Sequence, residues 1–206
     1  MKRLTTLRGG LVFGALWLAL LLAACNVVVS NKPWFTRADA ADAPRLREGV
    51  WLGSSPLSTP CSVDERQPID AWPDCARPVL VRKFDLVQLS KDHGRWRQTR
   101  WPYVLAGGEP FILQVGATQS GKTVYLYEWL RVTGLDDQSR VVAYASWIVL
   151  CGSAGSGSTT SSYPGLVKQD DDCTASSIAA LRRAAKASDS DATEIAQAHW
   201  VRDGSR

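Results

Sequence analysis

Four of the five cysteines lie in the body of the chain, at Cys61, Cys75, Cys151 and Cys173. Cysteine thiolates serve either as zinc ligands or as the two halves of a disulfide. None of the four belongs to a Cys-x2-Cys pair and neither histidine is near one, so the spacing disfavours zinc. Of the three possible pairings we favour Cys61–Cys75 and Cys151–Cys173, because each closes a short loop rich in turn-forming or small residues.

A second candidate for chemistry is the pattern Gly116-x4-Gly121-Lys122-Thr123. It is similar to the Walker A phosphate loop, in which backbone amides and the lysine hold nucleotide phosphates and the hydroxyl binds magnesium. That loop needs a helix behind it, whereas residues 124–133 alternate as a strand does. We therefore predict a hairpin turn around Gly121, and a nucleotide-binding enzyme ranks third among the functions considered.

The remaining polar residues show no pattern of a metal or catalytic site. His93 lies in a predicted turn, and His199 follows an Ala-rich segment near the C-terminal end of the sequence. No serine is framed by Gly-x-Ser-x-Gly, and the aspartates at 170–172 do not alternate with turn residues as calcium ligands do. We predict a non-catalytic protein without metal or other cofactor.

The first 24 residues have the composition of an export signal. Lys2, Arg3 and Arg8 occur there without any acidic residue, and residues 11–24 are almost entirely apolar. This apolar stretch is too short to span a bilayer as a helix, which needs about 20 residues. We predict a cleaved signal peptide over residues 1–24; an uncleaved anchor over residues 11–29 is the alternative.

The end of this segment, Leu22-Ala23-Ala24-Cys25, resembles the lipobox of bacterial lipoproteins. The resemblance implies that Cys25 is diacylated and becomes the first residue of the mature chain. Two acyl chains suffice for stable anchoring. Asn26, in place of Asp, implies the outer membrane and a domain that faces the periplasm. In that oxidising compartment the other four cysteines are expected to form disulfides.

The charge balance argues against a nucleic-acid partner. The chain has 24 Lys+Arg against 20 Asp+Glu, a net charge of +4. Removing the three basic residues of the signal leaves 24 − 3 = 21 positive against 20 negative charges. A nearly neutral domain lacks the electrostatic footprint of a polyanion-binding protein.

The hydrophobic pattern predicts a mainly β (α+β) fold behind the anchor. We expect a lipidated, flexible tether over residues 25–45 and a single domain over residues 46–206. Strands are predicted over residues 79–89, 96–104, 111–115, 123–133 and 140–151, and a helical segment over about 174–199, with Asp191 capping its second helix. Two of the strands are apolar on both faces, which favours an antiparallel barrel or sandwich, or a sheet backed by the C-terminal helix.

Aromatic residues provide the remaining functional signal. Trp129 and Trp147 lie in the most apolar strands and are predicted to be core. A cationic and aromatic hairpin is predicted as a possible binding surface, formed by Arg95, Trp96, Arg97, Arg100, Trp101 and Tyr103. We expect a lipid-anchored, non-catalytic envelope domain that binds an envelope protein or a glycan through this surface. The alternative is an accessory subunit that is buried in a larger envelope complex.

Overall fold

The computed structural model describes residues 26–54, 61–92, 94–119, 121–153, 161–169, 172–191 and 195–204. Within these ranges the chain forms thirteen strands, one α-helix and two short 3₁₀ turns. The strands are β1 (Val29–Ser30), β2 (Gly49–Ser54), β3 (Pro78–Arg82), β4 (Asp85–Asp92), β5 (Arg95–Ala106), β6 (Phe111–Gln119), β7 (Lys122–Leu135), β8 (Val141–Ile148), β9 (Gly152–Ser153), β10 (Ser161–Ser162), β11 (Leu166–Gln169), β12 (Asp172–Ala175) and β13 (Ala196–Arg202). Helix α1 spans Ile178–Asp191, and the 3₁₀ turns span Arg37–Ala40 and Ile69–Ala71.

Eight strands close into an antiparallel barrel in the order β7-β6-β5-β4-β3-β2-β13-β8, and β8 pairs back onto β7. This closure confirms the predicted mainly β fold and selects the barrel over the sandwich. The predicted strand 79–89 consists of β3 and β4, which a tight turn at Lys83 and Phe84 separates. Among the described helices, none is long and apolar enough to cross a membrane.

Strand β7 is apolar on both faces, and each face contributes to a different core. Leu130 points into the barrel interior, whose core comprises Leu46, Trp51, Val81, Leu86, Tyr103, Leu105, Leu113, Leu130 and Val141. Tyr127 points outward and packs with helix α1 and the N-terminal segment, in a core that includes Val28, Phe35, Ile112, Val149, Leu181 and Ala184. Trp147 is buried, and Trp129 packs against its ring edge, as expected for core residues. The C-terminal helix therefore covers the outside of a closed barrel.

The segment predicted as a tether is instead part of the domain. Val27 and Val28 are buried, and β1 pairs with the first half of β7. Gln114, itself buried, accepts hydrogen bonds from the backbone amides of Trp34 and Phe35 at 2.8 and 2.9 Å and donates one to the carbonyl of Phe35. The polar Asn-Lys-Pro sequence suggested a linker, but the few apolar residues on either side of it dock onto the outer face of the barrel. The domain therefore includes the chain from Asn26 onward.

Both predicted disulfides, Cys61–Cys75 and Cys151–Cys173, are present. The first fixes a loop that packs Trp72 and Ala76 over the outer face of β2 and β3, in a third small core around Val50. The second lies within the outer core beneath helix α1. Each bridge thus fastens an irregular segment to the barrel wall.

The C-terminal segment departs from the sequence prediction in two ways. The helix begins at Ile178 and ends at Asp191, the residue predicted to cap a second helix. The chain then forms β13, which pairs with β2 on one side and β8 on the other. The physical reason is that β2 and β8 would otherwise leave open edges, and the alternation along β13 turns Ala198 and Trp200 toward the interior core.

Candidate functional site

The hairpin of strands β4 and β5 projects from one end of the barrel. The two strands pair as far as Asp92 and Arg95, whereas β3 accompanies β4 only to Gln88 and β6 accompanies β5 only from Tyr103 onward. The outer part of this hairpin therefore has no third strand beside it in the described part of the chain. The β6–β7 hairpin extends in the same direction, since its residues beyond Val115 have no partner in β5.

The loop closed by the first disulfide braces one face of the projecting hairpin. The Lys91 ammonium donates hydrogen bonds to the backbone carbonyls of Asp70 and Trp72, at 3.1 and 2.5 Å, and lies 3.7 Å from the Asp74 carboxylate. The Trp96 indole N–H donates to the Asp70 carboxylate at 2.8 Å, and the Lys91 ammonium sits over the indole ring. Trp96 therefore holds the hairpin against the loop, and its N–H is already committed to a partner.

The arginines of the hairpin point to solvent on both faces. Side chains alternate along a strand, so Arg95 and Arg97 share one face and Arg100 lies on the other. Arg97 is 73% exposed, with its Nε 2.7 Å from the Asp92 carboxylate, and together with Arg95 it lines a shallow open depression. Arg100 is 62% exposed and lies 3.9 Å from the Asp85 carboxylate. These guanidinium groups keep donors available for an anionic partner.

The two remaining members of the predicted surface belong to the barrel interior. Trp101 is half-buried and packs against the interior core, and Tyr103 is 9% exposed within it. Burial raises the pKa of the Tyr103 phenol to about 12, with the nearby Glu48 and Asp85 carboxylates acting in the same direction. The single surface predicted from sequence is therefore divided between two hairpin faces and the barrel lining.

A carboxyl group that sequence analysis missed lies inside the barrel. Glu128 is on the inward face of β7, opposite Ile148, the last residue of β8. The Ser146 hydroxyl donates a hydrogen bond to the Glu128 carboxylate, and desolvation by the surrounding side chains raises the pKa of this carboxyl despite that bond. Burial also raises the pKa of the neighbouring Tyr144 phenol, and the charge of Glu128 adds to the effect.

The barrel is closely packed at one end and more open at the other. Near Glu128 the inward Ser146 is buried, but Leu126, Ile148 and Ala198 are half-buried, whereas Val81 and Val141, toward the opposite end, are buried. An eight-stranded barrel has room for little more than its own side chains. The more open half lies at the end from which both long hairpins project, so the exposed arginines and the interior carboxyl belong to the same end of the molecule.

We expect the Glu128 carboxyl to make the free energy of unfolding decrease as the pH rises. Its native pKa exceeds that of the unfolded chain, so between these two values the native state holds a proton that the unfolded state releases, and the free energy of unfolding falls with increasing pH. Glu128→Gln should remove this contribution, so its stability relative to the wild type should increase from pH 4 to pH 8 in urea unfolding. The exposed Glu109→Gln is the matched control. Parallel profiles for wild type and Glu128→Gln would contradict this assignment.

The phosphate-loop pattern forms a strand hairpin, as predicted. Gln119 pairs with Lys122 across the turn, and the Thr118 and Thr123 hydroxyls lie 3.1 Å apart on neighbouring strands. The segment that follows, Lys122–Leu135, is strand β7 and not a helix. The geometry that would hold nucleotide phosphates is therefore not formed by these residues.

The other polar residues considered from sequence are dispersed. The His199 imidazole Nε2 lies 2.8 Å from the Glu65 carboxylate on the barrel exterior. Asp172 is in β12, whereas Cys25, His93, Asp170 and Asp171 lie outside the described residues. Within the described ranges, no cluster of three His, Cys, Asp or Glu side chains is arranged to hold a metal ion. The chain matches no family model, no curated protein and no solved structure.

Proposed function

We propose that the protein is a lipid-anchored, non-catalytic binding domain of a bacterial outer membrane, facing the periplasm, and that it binds an anionic envelope protein or glycan through the β4–β5 hairpin. The observation that carries the proposal is a projecting pair of strands that exposes three arginines while a disulfide-closed loop fixes its position. The export signal and the lipobox-like Cys25 support the location. A rigid support reduces the entropy lost on binding, which favours a binding role for the hairpin tip.

The arginine chemistry indicates the class of partner. Guanidinium groups recognise carboxylates and phosphates through paired hydrogen bonds, each worth about 1.5–3 kcal/mol when charged groups are joined. Because Arg97 and Arg100 point to opposite faces, a partner that covers one face contacts only one of them. A partner that encloses the hairpin contacts both, so single substitutions distinguish the two modes of binding.

An accessory subunit of an envelope complex is the alternative function. Two large apolar side chains, Leu135 and Val167, are 54% and 53% exposed at separate places on the domain. Burial of such residues against fixed partners is expected of an assembly subunit. Co-purification from mild detergent at fixed stoichiometry would favour this function, whereas isolation of the protein alone would favour a free binding domain.

Reversing the charge at Arg97 tests the proposed surface. We expect Arg97→Glu to weaken retention of the bound envelope protein or acidic glycan at least tenfold in pull-down assays from native membranes, and Arg100→Glu to do so only if the partner encloses the hairpin. Arg82→Glu makes the same change in charge at the exposed β3–β4 turn, at the opposite end of the barrel, and serves as control. Unchanged retention by both hairpin variants, with native circular dichroism, would rule out this surface.

A further inference from the structure

The first residues after Cys25 are fixed to the body of the domain. The Asn26 carbonyl accepts a hydrogen bond from the Cys151 amide at 2.8 Å, and the Asn26 side chain donates one to the Gly152 carbonyl at 3.2 Å. The Val27 carbonyl accepts one from the Cys173 amide at 3.2 Å. The amide of Val28, which is fully buried, donates to the Val149 carbonyl at 2.8 Å. The anchoring end of the chain is thus bound on both sides of the second disulfide.

This arrangement leaves no flexible residues between Cys25 and the domain. A flexible tether over residues 25–45 would have an average span of about 25 Å. The peptide bond between Cys25 and Asn26 instead separates their Cα atoms by about 3.8 Å. Any lipid on Cys25 therefore brings the adjoining wall of the domain to the level of the lipid headgroups.

The surface next to Asn26 is suited to such an approach. The neighbouring strands, β9 and β10, contain no charged residue, and their Ser153 is half-buried and their Ser162 exposed. On the other side of Val28, β12 pairs with β11, which exposes the apolar side chain of Val167 and the cationic side chain of Lys168 about two strand spacings, or about 10 Å, away. Apolar side chains such as Val167 and cations such as Lys168 both favour contact with a bilayer interface, the first by burial and the second by attraction to anionic headgroups.

We infer that the domain rests directly on the membrane, with the wall formed by Asn26, β9, β10 and β11 against the lipid headgroups and with a fixed orientation. This inference rests on the proposed lipid anchor at Cys25. The partner that covers this wall is the bilayer itself, because the acylated residue is the immediate neighbour of Asn26. The orientation of the β4–β5 hairpin relative to the membrane is consequently set by the domain and not by a tether.

A spacer of twenty Gly and Ser residues, inserted between Cys25 and Asn26, tests the inference. Both lipoproteins, purified at full length and reconstituted into phospholipid vesicles, are compared by amide hydrogen exchange. We expect amides in β9, β10 and at Val167 to exchange at least tenfold more slowly in the native protein than in the spacer variant. Amides in the β4–β5 hairpin provide the internal control and should exchange at equal rates in the two proteins.

Intact mass measured on both proteins separates the possible failures. If both carry acyl chains on Cys25, equal exchange at β9, β10 and Val167 overturns the membrane contact while the lipid anchor stands. If the native protein lacks acyl mass, the proposed lipid anchor and this inference both fail. Equal unfolding midpoints for the two proteins establish that the spacer leaves the domain intact.

Discussion

Replacing Cys151 and Cys173 with alanine is expected to lower the free energy of unfolding by about 3 kcal/mol from lost loop constraint alone, because the bridge joins residues 22 apart in sequence. The two cysteines are also only 5% and 1% exposed within the outer core, so removal of their sulfurs should add roughly 1 kcal/mol from the space left behind. Urea unfolding followed by tryptophan fluorescence measures the total. The loss should also speed exchange of the amides at positions 151 and 173, which donate to the Asn26 and Val27 carbonyls, and of the Val28 amide, which donates to the Val149 carbonyl.

The other disulfide provides a matched control. Cys61 and Cys75 are 14 residues apart, for which the loop model gives a similar loss of about 3 kcal/mol. Cys61 is only half-buried and Cys75 is exposed, so little packing is lost with them. A larger destabilisation from removing Cys61–Cys75 than from removing Cys151–Cys173 would contradict the role assigned to the buried bridge.

Gly49→Ala is expected to lower the free energy of unfolding by about 2–6 kcal/mol, combining backbone strain with overpacking. Gly49 begins β2 with φ +133°, and an added Cβ would lie 2.3 Å from the Arg202 carbonyl oxygen and 2.7 Å from the Trp200 indole nitrogen. These atoms belong to β13 at its irregular pairing with β2, where the barrel closes. Thermal and urea unfolding give the measurement.

Gly94→Ala measures the backbone part of this effect without the steric part. Gly94 also has a positive φ, +76°, but an added Cβ would meet no atom within 4 Å. The expected cost is about 1 kcal/mol from backbone conformation alone. Equal losses for the Gly49 and Gly94 variants would show that the close approach of β13 is not what requires glycine at position 49.

Local sequence patterns sufficed for the regions of strands β3 to β8, for the middle of helix α1 and, through loop composition, for the disulfide pairing. The long alternating stretches and the turn around Gly121 could be predicted because neighbouring residues determine them. β13 could not, because its Ala-rich sequence suits either a helix or a strand and the open edges of β2 and β8 decide between them. The docking of residues 26–43 also depends on a distant residue, Gln114, whose amide replaces the backbone partners of a regular strand.

The candidate site was predictable only in part, for a similar reason. The arginines were found from composition, but the division of their surface follows from alternation along β5 and from the brace between Asp70 and Trp96. Glu128 gave no local signal, since it is a single carboxyl in an apolar strand and its partner Ser146 lies on the next strand of the barrel. Sequence reasoning locates residues with reactive groups more readily than it locates the distant residues that change their chemistry.

The closure of the barrel by β13 also bears on how the chain folds. Trp200 in the last strand pairs with Trp51 in the second strand, so most of the sequence separates the two pairing partners. Contacts between distant positions form slowly, and until β13 arrives both β2 and β8 present unpaired backbone groups that can join the strands of another chain. If the chain is exported with its N-terminal end first, as proposed above, these edges are exposed throughout transit. Its folding yield is therefore expected to depend on a holding chaperone that keeps β2 and β8 apart from other chains until the final strand emerges.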